Sequence, residues 1–224
     1  EKFIRKSQLI PFLKFKPKVL CFSKYHYKKR SFLTSFFGKE IIIPSIDNEY
    51  FKIDLSSTQN KNAIFYSRGD RNGSLVIDIW KDLNKIKNFN HKLYISSDLY
   101  NNQNNLSEFN INKKEFLEKK ELINFLKNFR ILIIPGHEGE VFCNVAEEAK
   151  ALCIPIITLG IGALKERVIN DYNGYLCHSL EDFKNKIYHL LHNDDDYLRF
   201  RENLKNDRGK NKWSDTTDSL IKLF

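Results

Sequence analysis

The stretch from Arg130 to Thr158, RILIIPGHEGEVFCNVAEEAKALCIPIIT, decides the fold. An apolar run, Ile131 to Ile134, stops at the break formed by Pro135 and Gly136. A loop carrying Glu140 follows, then a helical pattern, then a second apolar run from Ile154 to Thr158. Strand, loop, helix and strand in that order predict two parallel strands joined by a right-handed crossover. Phe142, Val145, Ala146, Ala149, Leu152 and Cys153 recur at helical spacing and make one apolar face. The turn from strand into helix lies at the carboxyl end of a strand, where open α/β sheets place their ligands. Glu140 and Glu148 bracket that turn, with seven residues between them. Glu140 stands beside the first free N–H groups of the helix, which suit an anion. Glu148, one turn further on, could accept two hydroxyls of a neighbouring diol. On spacing alone, the pair reads equally well as a favourable N-terminal charge and a solvated edge residue.

Outward from this unit the pattern repeats. Strands are predicted at 62–66, 92–96, 131–134, 154–158 and 174–177. Helices are predicted from Ser74 to Lys87, from about Lys113 to Asn128, from Gly160 toward Val168, and three times more before the end. Apolar strands alternating with helices predict an α/β, doubly wound parallel sheet. Before it, Lys18 to Ser23 reads as a strand, with a basic helix to about Phe37, and Ile41 to Pro44 as another strand. An Asn-rich stretch after Ser96 has low structural content. The expected division is residues 1–60 as an appendage with a linker, and 61–224 as the Rossmann-like domain.

The loop SRGDRNG, residues 67–73, is the second informative site. It follows the domain's first strand and precedes a helix, and it carries Arg68 and Arg71. Guanidinium forks match diphosphate oxygens. A solvated turn with incidental arginines is the plainer alternative. His137 shares the loop of Glu140, with no partner evident from the sequence.

The Glu140 unit resembles the signature of the retaining, GT-B-fold glycosyltransferases of family 4. That signature is a Glu, seven residues, then Glu-Ala opening a small-residue helix closed by a Pro-led strand. Glu140, Phe142, Asn144, Val145, Glu148, Ala149, Ala151 and Pro155 stand in register with it. The resemblance implies that Glu140 contacts the transferred sugar and acts as the catalytic residue. It implies that Glu148 binds the donor ribose and that backbone amides near Val141, Phe142 and Cys143 hold the diphosphate. In the arginine loop, Arg68 fits the family's first position. The family's second position is a Lys before a Gly, five residues on; here Asn72 stands before Gly73 at a spacing one residue shorter, and Arg71 is expected to supply the second charge. Val141 and Cys143 replace the glycines usual around Phe142, and Ile154 follows Cys153 where a glycine is frequent. Glu166, in GIGALKERV, matches the Glu after the family's Gly-rich segment, although a capped surface turn explains it as well. The final helix at Trp213-Ser214 also resembles the family. The implied chemistry uses no metal or other cofactor.

Composition narrows the classes. The chain has 224 residues and a net charge of +9. Residues 1–39 hold 11 Lys/Arg against Glu1 alone, a net +10, while residues 40–224 hold 26 against 27, a net −1. The basicity therefore belongs to the first segment. Its nine aromatics suit an anionic membrane surface or RNA, but no RNP or KH pattern follows, so nucleic acid is disfavoured. With 23 Asn and five Ala, the chain has the bias of an AT-rich genome, which discounts its lysines. Four separated cysteines without a CxxC pair read as reduced thiols in a cytoplasmic protein. No GxGxxG follows a strand, which argues against a dinucleotide dehydrogenase.

The resulting expectation is the donor-binding half of a two-domain glycosyltransferase. Its donor is a nucleotide-sugar, and its acceptor a glycan or a lipid-linked molecule. Residues 1–60 are expected to be the remnant of an acceptor domain. Residues 1–39 are expected to pack loosely and to suit peripheral contact with the inner membrane face. The competing readings are a catalytically silent nucleotide-binding domain and a basic module for RNA or membrane surfaces.

Overall fold

A computed structural model describes residues 6–30, 38–56, 59–68, 70–96, 105–115 and 117–223. Its centre is a six-stranded sheet, every neighbouring pair of which is parallel. The strands are β3 (Ala63–Phe65), β4 (Leu93–Ser96), β5 (Ile111–Lys114), β6 (Ile131–Ile133), β7 (Ile156–Thr158) and β8 (Gly174–Leu176). They lie in the order β5-β4-β3-β6-β7-β8. Chain direction across the sheet therefore reverses between β3 and β6, the switch point where such folds open a crevice.

Side-chain alternation explains why both sheet faces are covered. Ala63, Phe65, Ile131, Ile133 and Ile157 pack on one side, against α3 (Gly73–Asn84), α6 (Leu180–His192) and α7 (Asp194–Asp207). Ile64, Leu132, Ile134 and Ile156 face the other, against α4 (Lys119–Leu126) and α5 (Asn144–Ala151). Two apolar faces make the strands continuous hydrophobic runs, which is why they were legible. Trp80 and Phe65 are fully buried in the first layer and Phe129 in the second.

One strand contradicts the expectation. Residues 111–114, INKK, pair with β4, so the helix expected from Lys113 begins only at Lys119. As the edge strand β5 buries just Ile111 fully, and its lysines are tolerated at an edge. The expected coil after Ser96 falls partly on residues 97–104, outside the described residues; Leu106–Phe109 forms a 3-10 turn.

The appendage is a two-stranded parallel sheet, β1 (Val19–Cys21) with β2 (Lys39–Ile41), preceded by α1 (Lys6–Phe15). The basic helix, α2 (Lys24–Lys29), is shorter than expected, and residues 31–37 lie outside the described residues. Loose packing holds for α1, where Ile10, Leu13 and Phe15 are exposed. It fails for β1 and α2, where Cys21, Ser23 and His26 are buried. The last helix, α8 (Trp213–Ile221), returns to this appendage: Thr216 Oγ1 donates to the Ile43 carbonyl at 2.9 Å. Ser45 Oγ likewise donates to the Asn211 carbonyl at 2.7 Å.

Candidate active site

The loops that follow β3 and β6 meet at the switch point. Arg71 Nε lies 3.9 Å from a Glu140 carboxylate oxygen, and their side chains are only 16% and 21% exposed. Arg68 behaves differently: its side chain is 71% exposed and pairs with Asp70. Both arginines, Glu140, Cys143 and Asn144 line one cleft of about 480 Å³, whose apolar wall includes Leu122, Phe125 and Val145. A second cleft of about 550 Å³ shares Glu140, Cys143 and Asn144 and adds Val141, Phe142, Glu148 and Asp47. Arg68, Arg71, Glu140, Val141, Phe142, Cys143 and Glu148 therefore line two clefts that share one ridge, residues 140–148.

Backbone geometry of that ridge is unusual. Cys143 sits at φ 72°, the left-handed region that favours glycine. Its conformation turns the chain into α5 with no side chain capping the helix, leaving first-turn N–H groups for an anion. Cys153 closes α5 at φ 54°. The two cysteines thus occupy backbone shapes natural to glycine. Burial pushes the Cys143 thiol up to about 12, so it is protonated and inert at neutral pH. All four cysteines are free and buried. Ellman's reagent should label none of them in the native protein and all four after denaturation; rapid native labelling of Cys143 would contradict the burial.

Several contacts hold the ridge that the sequence did not disclose. His137 Nδ1 accepts the Gly139 N–H at 2.9 Å and lies 2.6 Å from Arg71 Nη1, so a histidine with no evident partner positions the arginine. Asn72, where the family pattern has a lysine, donates to the Gly136 carbonyl and ties the two loops together. Phe142 is buried beneath the Arg167 guanidinium, 4.5 Å from its ring centre, which leaves only its backbone for a ligand. Glu166 accepts the N–H groups of Lys24 and Tyr25, so it caps α2 instead of facing the cleft residues.

Glu148 is partly buried, and that burial raises its carboxyl above the ordinary range, opposed by the Tyr50 hydroxyl and Lys119. Tyr50, from a 3-10 turn at Asn48–Lys52, is itself buried and donates to this carboxylate. One partner leaves further lone pairs available. Because the folded-state value lies above the unfolded one, unfolding releases a proton in the interval between them. Stability contributed by Glu148 is therefore present below the ordinary carboxyl range and lost as pH rises through the raised value. Urea melts of wild type and Glu148→Gln should give a difference curve that moves in favour of the variant with rising pH. A flat difference would contradict it.

Comparison with known proteins now decides the family. Residues 48–207 match the family described as Glycosyl transferases group 1. The chain belongs to that family. An uncharacterized glycosyltransferase of Methanocaldococcus jannaschii is 31% identical over 176 residues, covering 72% of this chain and 50% of that protein. S. aureus TarM superposes with a TM-score of 0.78 at 16% identity, covering 100% of this chain and 48% of TarM. Anabaena HepE, solved with UDP and glucose, superposes with a TM-score of 0.71 at 14% identity, covering 92% and 62%. The fold is that of the carboxy-terminal, Rossmann-like domain of GT-B glycosyltransferases. The group 1 chain spans about half the length of the M. jannaschii protein and of TarM.

Proposed function

We propose that this chain is the donor-binding part of a retaining, family 4 glycosyltransferase. It takes a nucleotide-diphosphate sugar and passes the sugar to a glycan or lipid-linked acceptor. The observation that carries this reading is the partly buried Arg71–Glu140 contact at the uncapped start of α5, with Glu148 one turn on. An arginine beside that helix start suits a diphosphate, and a carboxylate at its edge suits a sugar. The apolar wall at Leu122 and Phe125 suits a flat base. HepE and TarM have both been solved with UDP, which makes UDP the first probe.

In this reading the diphosphate leaves with its developing charge met by Arg71, Arg68 and the amide dipoles of α5, so the reaction needs no metal. Glu140 contacts the transferred sugar, the amides near Val141, Phe142 and Cys143 receive the diphosphate, and Glu148 receives the ribose hydroxyls.

The arginines are unequal. Arg71→Ala should weaken nucleotide-sugar binding by about 1.5–3 kcal/mol, as loss of charge-assisted hydrogen bonds does. Arg68→Ala, at an exposed and Asp70-paired side chain, should cost clearly less. Calorimetric titration of the full-length variants with UDP and a panel of nucleotide-sugars measures both; equal losses would reassign the arginines, and no binding by wild type would end the donor reading.

Peripheral membrane contact through residues 1–39 belongs to the same proposal. On α1, exposed Ile10, Leu13 and Phe15 lie beside Lys14 and Lys16, and such mixtures favour anionic lipid. No helix among the described residues is long and apolar enough to cross a membrane. Flotation of full-length protein should require anionic lipid; equal recovery with neutral vesicles would remove this part.

A further inference from the structure

The amides of Val141, Phe142 and Cys143 donate to no protein acceptor among the described residues. Their direction is nevertheless set. A trans peptide unit is planar, with its C=O and N–H on opposite sides, so holding one aims the other. The Glu140 carbonyl accepts the Ala163 N–H at 2.9 Å, which turns the Val141 N–H away from the 162–166 turn. The Val141 carbonyl accepts from Ser23 Oγ at 2.7 Å, which turns the Phe142 N–H away from α2.

Ser23 is well suited to that task. It is buried at the N-cap of α2, where its oxygen also accepts the His26 N–H at 2.9 Å. Both sides of the hydroxyl are used, so it cannot rotate to another partner without losing one. The first turn of α2 is fixed in turn by the Glu166 carboxylate, 2.9 Å from the Lys24 amide. The Tyr25 hydroxyl donates to the Glu138 carbonyl at 2.6 Å, on the same loop as Glu140.

We propose that Ser23 is a positioning residue for the donor diphosphate, orienting the Phe142 amide through the Val141 carbonyl, and that Glu166 acts through Ser23 by anchoring α2. This rests on the reading that the Glu140 turn binds a diphosphate. It places part of the donor site's architecture in the appendage, 118 residues before the carbonyl that it holds. No other hydrogen bond among the described residues holds the Val141–Phe142 peptide, and an aimed amide favours the bound diphosphate by restricting its orientation.

The experiment titrates full-length wild type, Ser23→Ala, Ser23→Thr and Glu166→Gln with UDP and with UMP. The Ala variant should weaken UDP about 5- to 10-fold, the size of one neutral hydrogen bond, and UMP less than about 2-fold. Thr keeps the hydroxyl and should restore UDP binding, while Glu166→Gln should show a smaller loss with the same preference for UDP. Should Ser23→Ala not fold, Glu166→Gln carries the same comparison. An unchanged UDP affinity, or equal losses for UDP and UMP, would overturn the positioning role while leaving the donor reading intact. Absence of UDP, ADP or GDP binding by wild type would instead bring down the donor reading itself, and this inference with it.

Discussion

Replacing Glu140 by Ala in the full-length protein should lower turnover by about 10²- to 10³-fold, the scale of losing one preorganised electrostatic contact, and leave UDP affinity almost unchanged. The carboxylate lies at the rim between the two clefts, beside Arg71 and ahead of α5, not within the helix. In the proposed donor reading, a nucleotide held by the helix start and by Glu148 does not need it, whereas the sugar beyond the diphosphate does. Loss in turnover without loss in nucleotide binding is the mark of a contact made to the sugar or the transition state. Glu148→Ala should behave in the opposite way, weakening UDP and UDP-sugar alike by about 1.5–3 kcal/mol as bonds to a carboxylate disappear. Titration with both ligands, joined to turnover, separates the pair. Identical losses for both variants with every ligand would make the two carboxylates structural.

Gly162→Ala should be the most damaging small substitution near the site. Its φ is +75°, and an added Cβ would lie 2.3 Å from the His137 carbonyl oxygen and 2.9 Å from that of Glu140. Both obstacles are backbone, so no side chain can swing aside. Either the 162–166 turn withdraws, breaking the Ala163–Glu140 hydrogen bond, or the Glu140 loop shifts. Left-handed strain together with such a clash costs about 3 kcal/mol or more, which in a domain of this size lowers Tm by several degrees. UDP-sugar turnover should fall by a further order of magnitude or more, because a misplacement of about 1 Å at a reacting group is that costly. Thermal melts and kinetics on the same preparation check both halves. A variant with wild-type Tm and turnover would show that the approach of these segments is not required.

The sheet could be read before any coordinates because parallel strands covered on both faces are written as unbroken apolar runs. Ile131 to Ile134 and Ile154 to Thr158 carry that signal. Residues 111–114 do not, since an edge strand burying little beyond Ile111 has no apolar run to display. The site was legible to the extent that its chemistry is local. Glu140, Glu148 and the α5 start are neighbours in sequence, so their spacing alone brings them to one helix end. Arg71 could be nominated from its loop, but its inward turn against Glu140, opposite to Arg68, depends on His137.

By itself, then, the sequence determined the strand–helix alternation, the position of the charged turns at the carboxyl ends of strands, and the carboxylates and arginines available there. Each of these follows from short-range periodicity and from the chemistry of individual side chains. Only the tertiary structure decided that Ser23 holds the Val141 carbonyl, that Tyr50 occupies part of Glu148, that Glu166 caps α2, and that cysteines stand at glycine-like φ values. The first three rest on hydrogen bonds between residues 98 to 142 positions apart. Such bonds form wherever packing delivers a donor to an acceptor, and no local pattern records which pairs will meet. The cysteine conformations have the same origin. A left-handed residue without glycine is unfavourable on its own and persists because α5 and the strands on either side over-determine the turn.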